Sequence, residues 1–226
     1  MEFKNHKILK GTHATFSPSQ SSWLRYDDWK FADKLFNNYR SALGTEIHDF
    51  AASQIVLAHR YGKNHRYLKD AIETYIYRKY YDDDLDILKD QGVNLLKHLP
   101  TLNEEVFDTL TNYISDSVSY KMTPEQPLFY SEFFYGTADA IRFDEKEQKL
   151  MIFDLKTGVT PAHMDQLEVY AAMFCLEYTK QPTDIDIELR LYQNGDIAFG
   201  APETGKVFDI MNIMVDQTNK LRELVK

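Results

Sequence analysis

The chain has 226 residues, 43% of them hydrophobic and 14% aromatic, which is enough for one sizeable core and too apolar for a disordered polymer. Its formal net charge of -9 counts against broad electrostatic adhesion to nucleic acid, though not against a local basic strip. The single cysteine, Cys175, excludes an intrachain disulfide and any zinc or iron–sulfur centre held by a cysteine cluster.

Positive charge gathers at the amino end, where Lys4, Lys7, Lys10, Arg25, Lys30, Lys34 and Arg40 outnumber Glu2, Asp27, Asp28 and Asp33. The start has no apolar run of the kind a signal peptide needs, and no stretch approaches the roughly 20 residues of a membrane span. A cytoplasmic, reduced protein without a membrane partner is therefore expected.

Ser17-Pro18-Ser19-Gln20 has the form of a helix start, with Ser17 capping, Pro18 at the first helical position and Gln20 closing a capping box. The helix is expected to run to about Arg40. A second helix follows Gly44, with Ile47, Ala51, Ile55 and Ala58 at helical spacing. Residues 62–127 read as a mostly helical insertion, interrupted at Asp82-Asp83-Asp84 and Leu99-Pro100-Thr101. Within it, Tyr75 to Tyr81 interleaves aromatics and cations, a pattern that fits an amphipathic rim better than a base-stacking strip. Asp82, Asp83, Asp84 and Asp86 lack the glycine and closing glutamate of a calcium loop and read as a solvated turn.

After Pro127 the pattern changes. Residues 128–134, 137–144 and 149–155 are short aromatic or β-branched runs and predict three successive strands. Pro161 to Tyr178 returns to helical spacing, with Cys175 expected as buried packing. Asp184 to Gln193 alternates as a half-buried strand does, Asn194-Gly195 predicts a hairpin turn, and 206–226 predicts a last amphipathic helix. The fold class is α/β (α+β): one domain over 1–226, with a central mixed sheet flanked by helices and a helical insertion at about 62–127.

The chemistry concentrates in the strands. Asp154 and Lys156 stand two apart on one strand, so they share a face, and Asp139 lies on the neighbouring strand. Two carboxylates this close repel unless a cation sits between them. Oxygen donors suit Mg²⁺ or Mn²⁺, and the Leu155 carbonyl and the His48 imidazole are available as further ligands, the nitrogen tilting preference towards Mn²⁺. Such a centre activates water and neutralises charge on a phosphate, while Lys156 orients the water or stabilises the transition state. Thr157 and Gly158 end the strand where substrate backbone would pass. Gln166 and Tyr170 share a helix face and are expected to hydrogen-bond a phosphate or base. Glu132 is a candidate ligand for a second metal.

Taken together, Gly44-Thr45-Glu46-Ile47-His48, Gly136-Thr137-Ala138-Asp139, Asp154-Leu155-Lys156-Thr157-Gly158 and Gln166 to Tyr170 resemble the motifs of the PD-(D/E)XK nuclease superfamily, in its RecB-like branch. The resemblance covers residues 44–60 and 128–193. Ser17-Pro18-Ser19 with Trp23 looks like the start of phage-encoded members. The resemblance implies a restriction-endonuclease-like core. It also implies that His48, Asp139, Asp154 and the Leu155 carbonyl bind Mg²⁺ or Mn²⁺, and that Asp139, Asp154 and Lys156 are catalytic. Related nucleases that hold an iron–sulfur cluster do so through four cysteines, which this chain lacks.

The function expected is a metal-dependent DNA exonuclease of replication, recombination or repair, in a bacterial or phage-infected cell. It would act on DNA ends or single strands, beside a single-strand-binding or annealing protein. The alternatives are a catalytically idle DNA-binding or partner-docking module on the same fold, and an RNA-cleaving nuclease.

Overall fold

The computed structural model describes residues 16, 18–62, 65–81, 104–158 and 160–224. By its internal contacts the chain divides into two compact units, Met1–Thr45 and Glu46–Lys226.

The first unit holds a 3-10 helix over Pro18–Arg25 and the first part of α1 (Asp28–Tyr61). Ser17 lies outside the described residues, and what starts at Pro18 is the short 3-10 helix rather than the long helix expected to run to Arg40. The long helix begins after Asp27, whose Oδ1 accepts a hydrogen bond from the Lys30 backbone N–H at 2.8 Å and so caps the helix. Nor does Gly44 separate two helices, since α1 runs through it. A glycine inside a helix costs about 1 kcal/mol relative to alanine. That is small beside the apolar stripe the continuous helix buries, in which Ile47, Ala51, Ile55 and Ala58 are at most 3% exposed.

The second unit continues α1 and adds α2 (His65–Tyr81), α3 (Glu104–Ser119), β1 (Thr123–Ser131), β2 (Phe134–Asp144), β3 (Lys149–Leu155), α4 (Asp165–Glu177), β4 (Asp186–Gln193), β5 (Asp196–Gly200) and α5 (Thr204–Leu224). The strands form one mixed sheet in the order β1-β2-β3-β4-β5. Only β3 and β4 pair in parallel, because α4 carries the chain back across the sheet between them. Asn194 and Gly195 make the β4–β5 turn with both φ angles positive, at 53° and 80°, as the twist of a two-residue hairpin demands.

Both faces of the sheet are covered. On one, Leu150, Ile152, Leu189 and Leu191 pack against Leu167, Ala171 and Phe174 of α4 and Val207 and Met214 of α5. Cys175 is buried with them, and burial pushes its thiol up to about 11, so it is packing rather than a nucleophile. On the other face α3 lies over β3 and β4, with Tyr113 edge-on to Tyr192 and, just past the helix end, Tyr120 edge-on to Phe153.

β4 is therefore not half-solvated, as its alternation suggests. Arg190 is 7% exposed; its guanidinium donates to Asp116 Oδ2 at 2.8 Å and to the Tyr120 hydroxyl at 2.9 Å, and lies 4.9 Å above the Phe153 ring. Tyr192 donates to the same Asp116 oxygen at 2.8 Å. A strand can carry a buried charge when the partners satisfy it this fully.

The strand region also begins earlier than expected. β1 starts at Thr123, not at 128, because Pro124 and Pro127 are tolerated on an edge strand. The helical stretch thus ends before 123, and its last helix, α3, belongs to the core. The acidic run Asp82, Asp83, Asp84 and Asp86 lies outside the described residues, as do the side chains of Tyr77 to Tyr81.

Candidate metal centre

The centre forms where the ladder between β2 and β3 stops. The last paired rung is Ala140 with Phe153. One step further in the same register, Asp139 stands opposite Asp154. The Leu155 N–H has no β2 carbonyl to meet and instead donates to Asp139 Oδ2 at 2.8 Å. On its other side β3 stays fastened to β4, since the Lys156 N–H donates to the Tyr192 carbonyl at 2.9 Å. The strands thus diverge with two carboxylates facing the gap.

Asp154 is the floor of the site, its side chain 3% exposed, while Asp139 is 14%, His48 26% and Lys156 28% exposed. Lys156 Nζ donates to Asp154 Oδ1 at 3.0 Å and stands 2.9 Å from Oδ2. The second contact is an ion pair without hydrogen-bond geometry. Among the described residues Oδ2 accepts no hydrogen bond, although it is buried. A desolvated carboxylate oxygen that accepts no hydrogen bond, even beside an ammonium, keeps lone pairs that a further cation can take. Burial and then the facing charge of Asp139 push the Asp154 carboxyl up to about 6, against the pull of Lys156 and His48.

His48, one position off the buried stripe of α1, reaches the same place, with Nδ1 3.4 Å from Asp139 Oδ2. Burial acts to lower its pKa. The hydrogen-bonding and charge of Asp139, then the charges of Asp154 and Glu125, outweigh this and raise it. The donor set of carboxylates and one imidazole fits a hard divalent cation such as Mg²⁺ or Mn²⁺.

Glu125 is the residue the sequence reading missed. The β1–β2 register pairs Pro124 with Ala140 and Gln126 with Ala138, which sets Glu125 opposite Asp139. One ligand atom each from His48, Glu125 and Asp139 lie within 4.8 Å of one another, a close group that Asp154 does not join. Burial, then Asp139, raise the Glu125 pKa, opposed by His48. The signal available in the sequence was Pro124-Glu125-Gln126-Pro127, an acid between two strand-breaking residues and just upstream of the first expected strand.

Gln166 and Tyr170 share one face of α4, but their bonds are internal. Gln166 Oε1 accepts from Lys156 Nζ at 2.9 Å, and the Tyr170 hydroxyl donates to the Thr137 carbonyl at 2.6 Å. Burial raises the Tyr170 pKa while a hydrogen bond with Gln166 opposes the rise. The two side chains are thus arranged to hold Lys156 and the β2 backbone rather than left free for substrate.

Gly136 makes this close approach possible. A Cβ there would lie 3.2 Å from the Tyr170 hydroxyl and 3.3 Å from its Cε1. Gly136→Ala is expected to shift Tyr170 by a few tenths of an ångström. The substitution should leave the melting temperature within a few degrees of the parent, which a thermal melt checks.

Thr157 and Gly158 leave the sheet at the rim. Gln193 steadies this loop, donating to the carbonyls of Gly158 and Thr160 and accepting from the Ala162 N–H. A Cβ at Gly158 would meet nothing within 4 Å, so the loop backbone is open to a ligand.

Glu132 is not brought to the centre. It sits between β1 and β2 at the hairpin tip, where Arg222 of α5 grips both carboxylate oxygens at 2.8 Å and holds the carboxyl down at about 2. No helix among the described residues is long and apolar enough to cross a membrane. No family model and no curated protein matches the chain.

Proposed function

We propose that the chain is a divalent-metal-dependent nuclease of the PD-(D/E)XK type, in its RecB-like branch, with a restriction-endonuclease-like core. The observation that carries this reading is a single rung: Asp139 and Asp154 face each other across diverging strands, and Lys156 Nζ lies against the buried Asp154 carboxylate. The supporting fold feature is an antiparallel β2–β3 pair followed by the β3–α4–β4 crossover, which brings Gln166 to Lys156.

Asp139, Asp154, His48 and the Leu155 carbonyl would hold the cation. When bound, it supplies an acidified water and neutralises charge on the scissile phosphate. The remaining work belongs to this chain's own groups. Lys156 holds a positive charge beside the position where the phosphoryl oxygens gather charge, and Gln166 fixes its ammonium in place. Asp154, floored in the core, cannot swing away from the gap. The open Thr157-Gly158 rim leaves room for a nucleic-acid backbone. Hydrolysis adds the water oxygen to phosphorus and breaks one P–O ester bond. The substrate favoured is DNA, cut from ends or in single strands.

The test uses end-labelled single-stranded, double-stranded and flapped DNA, with RNA alongside, in Mg²⁺, Mn²⁺ or EDTA. The expected result is release of mononucleotides from DNA ends in either cation and none in EDTA. Binding of DNA that is equal with and without cation, and no degradation of any substrate, would mean an idle binding module and sink the reading.

A further inference from the structure

We infer that the exposed aromatic pair of Phe129 and Tyr135 is a stacking platform for a base of single-stranded DNA whose phosphate lies at the metal centre. This rests on the nuclease reading above and deepens it, since such a platform selects strands with unpaired bases.

On the second face of the sheet α3 lies over β3, β4 and β5, and its cover stops short of the β1–β2 hairpin tip. Leu128 and Ala138 of the hairpin are buried in the cluster that holds Leu167 and Ala171 of α4. The alternate positions, Pro127 and Phe129 on β1 and Tyr135 and Thr137 on β2, are exposed. Phe129 and Tyr135 are register partners, 55% and 69% exposed. Their ring centroids are 6.3 Å apart and their planes within 24° of parallel. A single exposed aromatic is ordinary. Two bare rings held nearly parallel offer the surface on which a base stacks through its π-face.

Their position ties them to the centre. Along the same ladder the next rung of this row is Pro127 with Thr137, and the one after sets Glu125 opposite Asp139. Asp139 follows Tyr135 by four residues, about 13 Å of strand. At about 3.4 Å per nucleotide that is about four nucleotides of a stacked strand, and fewer of a stretched one. A strand with its scissile phosphate between Asp139 and Asp154 therefore brings one of its next few bases to the rings. The charge of that strand is met at the centre, by the cation and Lys156, and the rings meet the base.

An exposed sheet edge ordinarily recruits a strand from another chain. Here β1 is closed to one, because Pro124 and Pro127 have no N–H to offer and the Phe129 N–H already donates to Glu177 Oε2 at 2.9 Å. Contact at this place is left to the ring faces. The hairpin is also held still. The Ser131 and Thr218 hydroxyls share a buried hydrogen bond at 3.0 Å, and Arg222 grips Glu132 at the tip. Rings fixed in advance lose little freedom when a base settles on them.

The test is binding of end-labelled oligothymidine to the full chain in saturating Mn²⁺, read by fluorescence anisotropy, with Lys156→Ala in every protein to slow cleavage. Phe129→Ala and Tyr135→Ala should each weaken binding by about 5–100-fold, the range of one base–aromatic stack, whereas Phe129→Trp and Tyr135→Phe should keep it. Both rings are more than half exposed, so the variants should melt within a few degrees of the Lys156→Ala protein. A strand of the same length made of abasic sugars separates base from backbone. The Lys156→Ala protein should prefer oligothymidine to this strand, and the added pair Phe129→Ala/Tyr135→Ala should remove that preference.

Unchanged affinity for oligothymidine in the protein lacking both rings would overturn the platform, and the nuclease reading would stand on cation-dependent cleavage by the unmutated chain. Equal weakening for oligothymidine and the abasic strand would also overturn it, since the rings would then serve the hairpin and not a base. Self-association that disappears with the two rings, at unchanged DNA affinity, would make the patch an interface between copies and overturn it as well. No cleavage by the unmutated chain, with the stacking losses as expected, would sink the nuclease reading and leave the platform standing.

Discussion

Lys156→Ala is expected to lower the cleavage rate by about 10²–10³-fold, the loss typical of removing one preorganised charge-stabilising donor, while divalent-cation binding stays as tight as in the parent or becomes tighter. The two halves of this result follow from one contact. Lys156 Nζ lies within 3.0 Å of both Asp154 oxygens, so it competes with a cation for that carboxylate. Removing the ammonium removes the competitor.

A merely structural role for Lys156 predicts the opposite, with the site collapsing and cation affinity falling. The side chain is 28% exposed, and its other partner is Gln166, so its loss strands no buried positive charge. Its loss also leaves the Asp154 carboxylate, 3% exposed, without the Lys156 ammonium, so the cation-free variant should melt several degrees below the parent and saturating Mn²⁺ should restore it. Lys156→Arg keeps the charge but replaces a compact ammonium by a planar fork, and should recover only part of the rate. Single-turnover cleavage on saturating DNA, set beside a Mn²⁺ titration of the same preparation, reads both quantities. Wild-type turnover in Lys156→Ala would remove the lysine from the chemistry.

The parts of the site that could be read in the sequence are those set by strand periodicity. Asp154 and Lys156 share a face because strand residues alternate, and β3 was easy to recognise as a strand because it is buried along nearly its whole length from Leu150 to Leu155. Asp139 was recognisable as its neighbour because the turn between 144 and 149 is short. What could not be read was register. That Asp139 faces Asp154, and Glu125 faces Asp139, depends on where two ladders stop, and no propensity encodes this.

Glu125 was hidden twice over, by the two prolines that argue against a strand and by a left-handed backbone that only the surrounding structure imposes. Glu132 looked plausible at seven residues from Asp139, but a hairpin tip lies at the wrong end of the strand, and Arg222 comes from α5, ninety residues away in sequence. The helices show the same division. The stripe of α1 was visible from Ile47 to Ala58, yet Gly44 looked like a boundary because local propensity weighs a glycine more heavily than the tertiary packing that carries a helix through it. Arg190 looked solvated on β4 because alternation cannot say that α3 brings Asp116 and Tyr120 to meet it.

The same rung predicts that Asp154→Asn, which should abolish cation-dependent cleavage, stabilises the cation-free protein. In the folded chain burial and Asp139 raise the Asp154 carboxyl to about 6, above its ordinary 3.8. A carboxyl with a raised folded pKa binds its proton more tightly folded than unfolded. Its favourable contribution is therefore fully present below pH 3.8 and is lost as pH rises through about 6. At pH 7.5 without cation the ionised group carries the whole penalty, about 3 kcal/mol for a shift of this size.

The side chain is only 3% exposed, so solvent does little to screen it. Asparagine keeps the shape and removes the charge, and Lys156 keeps its bond to Gln166. In EDTA at pH 7.5 the variant should melt about 6–12 °C above the parent, at about 2–4 °C per kcal/mol for a chain of this length. The parent's melting temperature should rise as pH falls towards 5, helped by the raised pKa values of His48 and Glu125, whereas the variant should show less of this slope.

Cation reverses the order. A ligand at about 1,000 times its dissociation constant adds about 4.1 kcal/mol to the form that binds it, more than the penalty on the ionised carboxylate, so in saturating Mg²⁺ or Mn²⁺ the parent gains most and the variant least. A centre built to hold a cation should be destabilising without one, and this reversal is its thermodynamic signature. If Asp154→Asn melted below the parent in EDTA at pH 7.5, the carboxylate would be a structural anchor already satisfied by Lys156, and the row of facing acids would have no need of an ion.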